Sequence, residues 1–466
     1  VNRVRRGEHA PSILVSTLSA AFGVALLSVI GHLAEIISAD DVTGSSSTVA
    51  FVLALLAGVF IVIATYVGAV VTANTFATII AGRTRTIALL RLLGASASSQ
   101  RRAVAREGLA VGALGAMLGA VLGVLVSAGL LQAAVAGGFA PALPYEWIQP
   151  VIVLPMVTVV LTTWAASWAG SRRVLDVSPM QATGGAHELR YEEARGRRGR
   201  NAAALVFLLL GGGMLALGVI VGIANPVGIL PAVLGGVLSF TGFVLGAQVV
   251  MPATLRLVGR LFGRGASARL AAENAVRYPE RSTRTTIGLV IGVTLVTMFA
   301  VATGSYQRVL ETAFPSEPGD AVQLDSVILV TVVVFSVLLG FSALIAAVGM
   351  VNNLSLSVLQ RTRELGLLRA LGFTAGQLRR MIAVESAQLT IAAVLVGLLL
   401  GTFYGWAGAQ SLLASLPGTG GFVAPVVPLW LLAAVAISAA LLTLAASVAP
   451  TRRATRISPV VALAVE

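Results

Sequence analysis

Three stretches of this chain, Val42–Gly82, Asn201–Leu255 and Ser386–Thr451, contain no charged residue at all. Each exceeds the roughly 20 apolar residues that a helix needs to cross a hydrocarbon core of ~30 Å, and runs of this kind are foreign to soluble domains. The chain as a whole is 57% hydrophobic and only 11% charged. Dividing the apolar runs at polar or Gly/Pro-rich breaks predicts ten spans, near 12–34, 49–80, 108–132, 150–170, 203–223, 229–251, 286–303, 327–352, 384–406 and 428–448. The predicted fold class is therefore an all-α polytopic membrane protein with about ten transmembrane helices.

Charge orients these spans. All 32 basic residues are arginine, and the net charge is +13. With a cytoplasmic N-terminus, ten crossings return the C-terminus to the same side, and every arginine except Arg308 falls in an inner segment. The outer segments then hold Glu35, Asp40, Asp41, Glu146, Glu311, Glu317, Asp320 and Asp325. This is the positive-inside pattern, and it predicts that both termini are cytoplasmic. A basic balance distributed in this way argues for contact with anionic membrane lipid and against nucleic acid. The opening "VNRVRR", followed by apolar and small residues, could pass for a secretory signal. A matching first span in the second half of the chain favours a membrane helix instead. Cysteine is absent, so no disulfide braces the outer loops.

The chain repeats itself. "RTRTIALLRLLG" at 83–94 returns as "RTRELGLLRALG" at 361–372. A shift of 278 carries Arg83, Thr84, Arg85, Leu89, Leu90, Arg91, Leu93, Gly94, Ala97, Arg101 and Arg102 onto identical residues. The same shift carries Asn74 to Asn352, Glu107 to Glu385, Gly119 to Gly397 and Gly123 to Gly401, and "SRRVLDVSP" (171–179) is answered by "TRRATRISP" (451–459). Each copy contains four spans with the motif between the second and third. An even number of spans makes the two repeats parallel, not inverted. The expected organisation is a first repeat over 1–182, a cytoplasmic linker over 183–200, an inserted transmembrane hairpin over 201–255, a cytoplasmic amphipathic segment over 256–285 and a second repeat over 286–466.

Within 361–372, Leu365, Leu368 and Leu371 recur at helical spacing while Arg361, Arg363, Glu364 and Arg369 occupy other faces, which predicts a short amphipathic helix. Gly372 suits a left-handed stop, and Thr374 with Gln377 makes a capping box that begins a helix leading into the ninth span. Gly94 and Ser96 correspond in the first copy, where Ser99 cannot complete the box. Residues 49–80 would form a rod of ~48 Å, longer than the bilayer requires. The motif helix could lie on lipid headgroups. Its duplication in the same order argues for a protein partner that is itself present twice.

"RTRELGLLRALGFTAGQLRRMIAVES" resembles the stretch shared by FtsX-like and MacB-like permeases, the membrane subunits of type VII ABC transporters. "LAAENAVRYPERSTRTTIGLVIG" (270–292) resembles their approach to the first span of a repeat, and "ISPVVAL" (457–463) their ending. The resemblance covers nearly all of 270–466, much of 74–182 and little of 1–30. It implies a bacterial cytoplasmic membrane protein that is not itself an enzyme and holds no cofactor; ATP and magnesium would sit on a separate ABC ATP-binding subunit, two copies of which would dock. The resemblance makes Arg361, Arg363, Glu364, Leu368, Arg369 and Gly372 one coupling helix, and Arg83, Arg85, Leu90, Arg91 and Gly94 the other. Thr86 departs from the family pattern where Glu364 keeps it, which makes the two docks unequal. Many relatives carry a large extracytoplasmic domain after the first span; the segments 35–48 and 304–325 have no room for one.

Missing motifs agree with this assignment. A chain without lysine cannot supply the P-loop lysine. HExxH and GxSxG are absent, and His9, His32 and His187 are scattered, so no metal site is expected. Asn74, Asn352, Asn353, Gln248 and Gln388 lie in or near spans, where amides usually bond a neighbouring helix. Glu107 and Glu385 stand at equivalent inner ends of spans, suited to pairing with the motif arginines. Gly115, Gly119 and Gly123, like Gly397, Gly401 and Gly405, recur every fourth residue and give two smooth faces suited to close helix packing. The function these readings imply is ATP-driven export or extraction of a lipid-like, amphipathic or peptide substrate, selected in the membrane or through a separate extracytoplasmic partner. The alternative is a transmembrane relay of the FtsX type, which switches a cell-wall hydrolase without moving cargo. A proton-coupled carrier would need buried acidic residues in the middle of spans, and none is placed there.

Overall fold

A computed structural model describes residues 2–38, 89–90, 92–138, 141–171, 198–262, 279–313, 371–416, 418–430, 432–438 and 440–441, with scattered positions between 55 and 73 and at 273. Among the described residues all regular structure is helical, and seven helices are long and apolar enough to cross a membrane. They are α1 (Asn2–Ser38), α2 (Ala97–Ala136), α3 (Val153–Gly170), α4 (Arg198–Ala224), α5 (Ile229–Gly259), α6 (Pro279–Ala313) and α7 (Ala375–Leu413). The span expected near 327–352 and the linker before Arg198 lie outside the described residues. The span near 49–80 is described only at isolated positions, and the last span only as far as residue 441.

Helices α2 and α7 run for 40 and 39 residues, or ~60 Å, about twice the hydrocarbon thickness. The spans expected at 108–132 and 384–406 are only their middle sections. The charged turns before them, with Arg101 and Arg102 or Arg379 and Arg380, stay helical because each helix starts at a side-chain cap and meets no proline.

Lipid gives apolar helices no hydrophobic reason to associate, so close backbone approach has to supply the attraction. Helix α2 packs along α1, and α7 packs along α6, through glycine faces. A Cβ on Gly119 would come within 2.5 Å of both the Ala20 Cβ and the Thr17 carbonyl oxygen, and one on Gly123 would meet Val24 and the Ala21 carbonyl. On the other pair, a Cβ on Gly401 would stand 2.5 Å from the Thr297 Cβ and 2.6 Å from the Thr294 carbonyl oxygen, and Gly405 is placed likewise over Met298 and Val301. In all four cases the glycine rests on one carbonyl and on the Cβ three residues later. Gly115 lies against Ser16, and Gly397 against Val293. The two pairs are thus built to the same pattern.

Helices α4 and α5 form an antiparallel hairpin turned by Pro226–Gly228, where Asn225 caps Val227. Gly211 and Gly218 on one arm, and Gly228, Gly235 and Gly242 at the turn and on the other, recur every seventh residue and bring the backbones together. The hairpin also ties distant parts of the chain. The Tyr66 and Thr241 hydroxyls lie 2.8 Å apart, and those of Ser239 and Tyr404 3.0 Å apart. The Phe240 ring stands between the Tyr66 and Tyr404 rings in edge-on contact. Gln388, fully buried on α7, donates from Nε2 to the Leu255 carbonyl of α5 at 2.8 Å, and Arg200 of α4 donates to Gln248 of α5. One apolar core joins α1, α5, α6 and α7, with α1 and α6 the most deeply buried.

Candidate functional site

The repeated motif ends in the same backbone device twice. Gly94 has φ +94° and Gly372 φ +97°, in the left-handed region that a side chain would strain. At the first, Leu93 N–H donates to Leu89 and Ala95 N–H to Leu90. The second of these bonds is the six-to-one closure of a Schellman stop. Two residues later a hydroxyl restarts the chain as a helix. Ser96 Oγ accepts from Ser99 N–H at 3.1 Å, and Thr374 forms a complete capping box with Gln377. A rigid corner therefore stands at the foot of each ~60 Å helix.

The corners carry leucine outward. Leu93 is 85% exposed and Leu371, its counterpart in the repeat, 74%; Leu90 is partly exposed beside Leu93. Two large apolar side chains at matching corners suit the pockets of a partner. Of the remaining coupling residues, Arg83, Arg85, Arg91, Arg361, Arg363, Glu364, Leu368 and Arg369 lie outside the described residues. The first corner is braced from behind. The Arg101 guanidinium sits 4.0 Å from the centre of the Trp168 ring, and its Nε donates to Ser171 Oγ at 3.2 Å, fixing the foot of α2 to the end of α3. Glu107 and Glu385 are placed in the third turns of α2 and α7 above the corners, and both are engaged by interactions.

The opposite end of the bundle holds a second repeated element that the fixed shift of 278 does not reveal. "GGFAPALPYEW" (137–147) is answered by "GGFVAPVVPLW" (420–430), with Val423 extra before Ala-Pro in the second and one residue extra between the last Pro and Trp in the first. Each forms a strap across the end of a central helix. In the first, Tyr145 donates to the Pro141 carbonyl at 2.7 Å, its ring meets His32 edge-on, and Gln149 donates to Glu35. Burial, with the Glu35 carboxylate nearby, pushes the Tyr145 phenol above its ordinary value, so it stays a donor. In the second, Gln410 clasps the strap, accepting from Val423 N–H and donating to the Gly421 carbonyl, both at 2.7 Å. Trp406 donates to the Val423 carbonyl, and Ser305 bridges Ala424 and Val426. Gly31 and Gly304 let the straps pass, since a Cβ on either would press on Gln149 or Val426. Gln410→Leu leaves the buried Val423 N–H unpaired, at ~1–3 kcal/mol, and the part-buried Gly421 carbonyl without its donor. Thermal unfolding in detergent micelles should show a clear loss of stability.

Comparisons with known proteins agree with this arrangement. The profile described as "FtsX-like permease C-terminal" matches twice, at residues 58–179 and 336–459, together more than half of the chain. The uncharacterized ABC transporter permease YknZ of Bacillus subtilis is 40% identical over 78 residues, 17% of this chain and 19% of that protein. The ABC transporter permease YtrF of the same organism is 32% identical over 59 residues, 13% of this chain and 14% of its own. The chain thus matches less than a fifth of the length of these curated relatives. Two profile matches, each containing one glycine corner and the long helix that rises from it, show that this chain belongs to the FtsX-like permease family of type VII ABC transporters.

Proposed function

We propose that this chain is the membrane half of an ABC transporter in which two separate ATP-binding subunits, carrying the ATP and magnesium, dock on the two corners and drive export or extraction of a lipid-like, amphipathic or peptide substrate. The observation that carries this reading is the matched pair of glycine corners at Gly94 and Gly372, each presenting an exposed leucine at the foot of a helix locked to a central span. Two copies of one docking device on one chain suit two copies of one motor. The arginines of both motifs would surround these leucines and meet acidic groups on the motor. In this reading the chain comprises ten spans in two parallel four-span repeats, with α4 and α5 inserted between them and both termini in the cytoplasm.

Reconstitution separates transport from relay. Liposomes holding the permease and its ATP-binding subunit should show ATP-dependent movement of an amphipathic substrate that in turn stimulates hydrolysis. Stimulated hydrolysis with no movement of any amphiphile would assign the chain to the signalling class instead. Orientation has its own check. Cysteines placed at Ser46 and Ser316 should react with impermeant maleimide from outside intact cells, and reaction only after the cells are opened would reverse the assigned sidedness.

A further inference from the structure

Between α4, α5, α6, α7 and the residues Val59, Ile63, Tyr66 and Val67 lies a cavity with about 1150 Å³ of empty space, its open side included. It occupies the half of the bundle nearest the hairpin turn. On α6 it runs from Ile291 to Tyr306, a length of ~22 Å at 1.5 Å per residue, comparable with one leaflet of a ~30 Å hydrocarbon core together with its interface.

Among the described residues its lining contains none that is charged. Three tyrosines line it: the hydroxyls of Tyr66 and Tyr404 are engaged with α5, by Thr241 and Ser239, and Tyr306 stands at the strap end beside Ser305. The Thr294 hydroxyl has no partner; it can turn to its own helix, as Thr241 does to Val237 and Thr303 to Phe299. A charged guest would be desolvated among these residues with no charge to compensate it.

Two glycines keep the space open. Gly236 on α5 and Gly408 on α7 both line the cavity, and a Cβ added at either would meet nothing within 4 Å. They differ from the glycines of the helix contacts, which are needed for close approach. A glycine inside a helix costs about 1 kcal/mol relative to alanine. Here no packing contact repays it, so what these two positions gain is volume.

We propose that this cavity binds one acyl chain of a membrane lipid, drawn from the leaflet at the hairpin-turn end, with the headgroup left at the level of Tyr306 and the strap and the chain terminus near Ile291. The inserted hairpin supplies one wall, so the site lies on one side of the bundle and is absent from a permease built of the two repeats alone. The assignment deepens the transport reading by naming the moiety that the membrane domain grips, and it rests on that reading only for its role in transport; binding itself needs no motor.

The test uses the full chain without nucleotide or ATP-binding subunit, in phosphatidylcholine nanodiscs containing a phospholipid with a photoactivatable diazirine on one acyl chain. A diazirine near the chain terminus should label Ile291 and Leu295, and one near the ester should label Tyr306 and Leu413. Gly236→Phe and Gly408→Phe fill the space without backbone collision and should each lower labelling at these positions at least tenfold. Gly213→Phe, on α4 where a Cβ also meets nothing within 4 Å but outside the lining, should leave it unchanged. Thermal unfolding of each variant confirms that it is folded, and either cavity variant alone suffices. Labelling that is equal in wild type and filled variants, or that does not depend on diazirine depth, would overturn the site. Because no ATP is used, that result leaves the docking of the motor untouched, and failure of docking leaves this binding untouched.

Discussion

Replacing both Leu93 and Leu371 with aspartate will strip the ATP-binding subunits from the purified permease. Each leucine is a large, exposed apolar group at a rigid corner, and truncating a central anchor of this kind typically costs ~2 kcal/mol or more, about thirtyfold in affinity. The two docks are linked in one polypeptide, so losing both removes whatever avidity the pairing provides. Glu364→Arg combined with Arg369→Glu should act in the same direction by reversing the charge pattern of the second dock, whereas reversing Arg197 and Arg198, away from the motif, should leave association intact. Co-purification with a tagged ATP-binding subunit reads all three. Equal retention in every variant would remove the docking assignment.

The second large effect is on folding. Gly119→Leu or Gly401→Leu forces a side chain against backbone, since even a Cβ would stand about 2.5 Å from a carbonyl oxygen on the facing helix. Overpacking usually costs 1–3 kcal/mol, and these sites should reach ~3 kcal/mol or more because the obstacle cannot rotate away. Gly129→Ala on the same helix α2, where a Cβ meets nothing, should change stability by no more than ~0.5 kcal/mol. Combining Gly119→Ala with Ala20→Gly should recover part of the loss, because the two sites share one contact. Thermal unfolding followed by tryptophan fluorescence measures each value.

Much of this architecture was readable from local pattern. The apolar runs give α1, the α4–α5 hairpin and α6. The stops at Gly94 and Gly372 and the capping box at Thr374 follow from residue types that suit only those backbone positions. The glycine faces of α2 and α7 were visible as smooth stripes, but their partners were not, since meeting Ala20 or Thr297 is a tertiary event about a hundred residues away in sequence. The feet of α2 and α7 were legible as capped helix starts at Ser96 and Thr374, although composition alone places the spans only in the middle of each helix. The straps were missed for a narrower reason: Val423 shifts the second copy by one residue, and the loops between spans already differ in length. Gln410 and Ser305, which hold the second strap, lie in apolar runs where a single amide or hydroxyl looks incidental. Tyr66 and Tyr404, which join the hairpin to both halves, gave no pattern at all.

The central claim is that one chain carries two equivalent docks, and the mass of the complex measures it directly. Co-expression with the ATP-binding subunit, followed by native mass spectrometry in the presence of a non-hydrolysable ATP analogue, should give one permease chain with two ATP-binding subunits, and one subunit fewer when a single corner carries aspartate. A permease that captures no ATP-binding subunit, or that reaches two only by pairing with a second permease chain, would contradict the account.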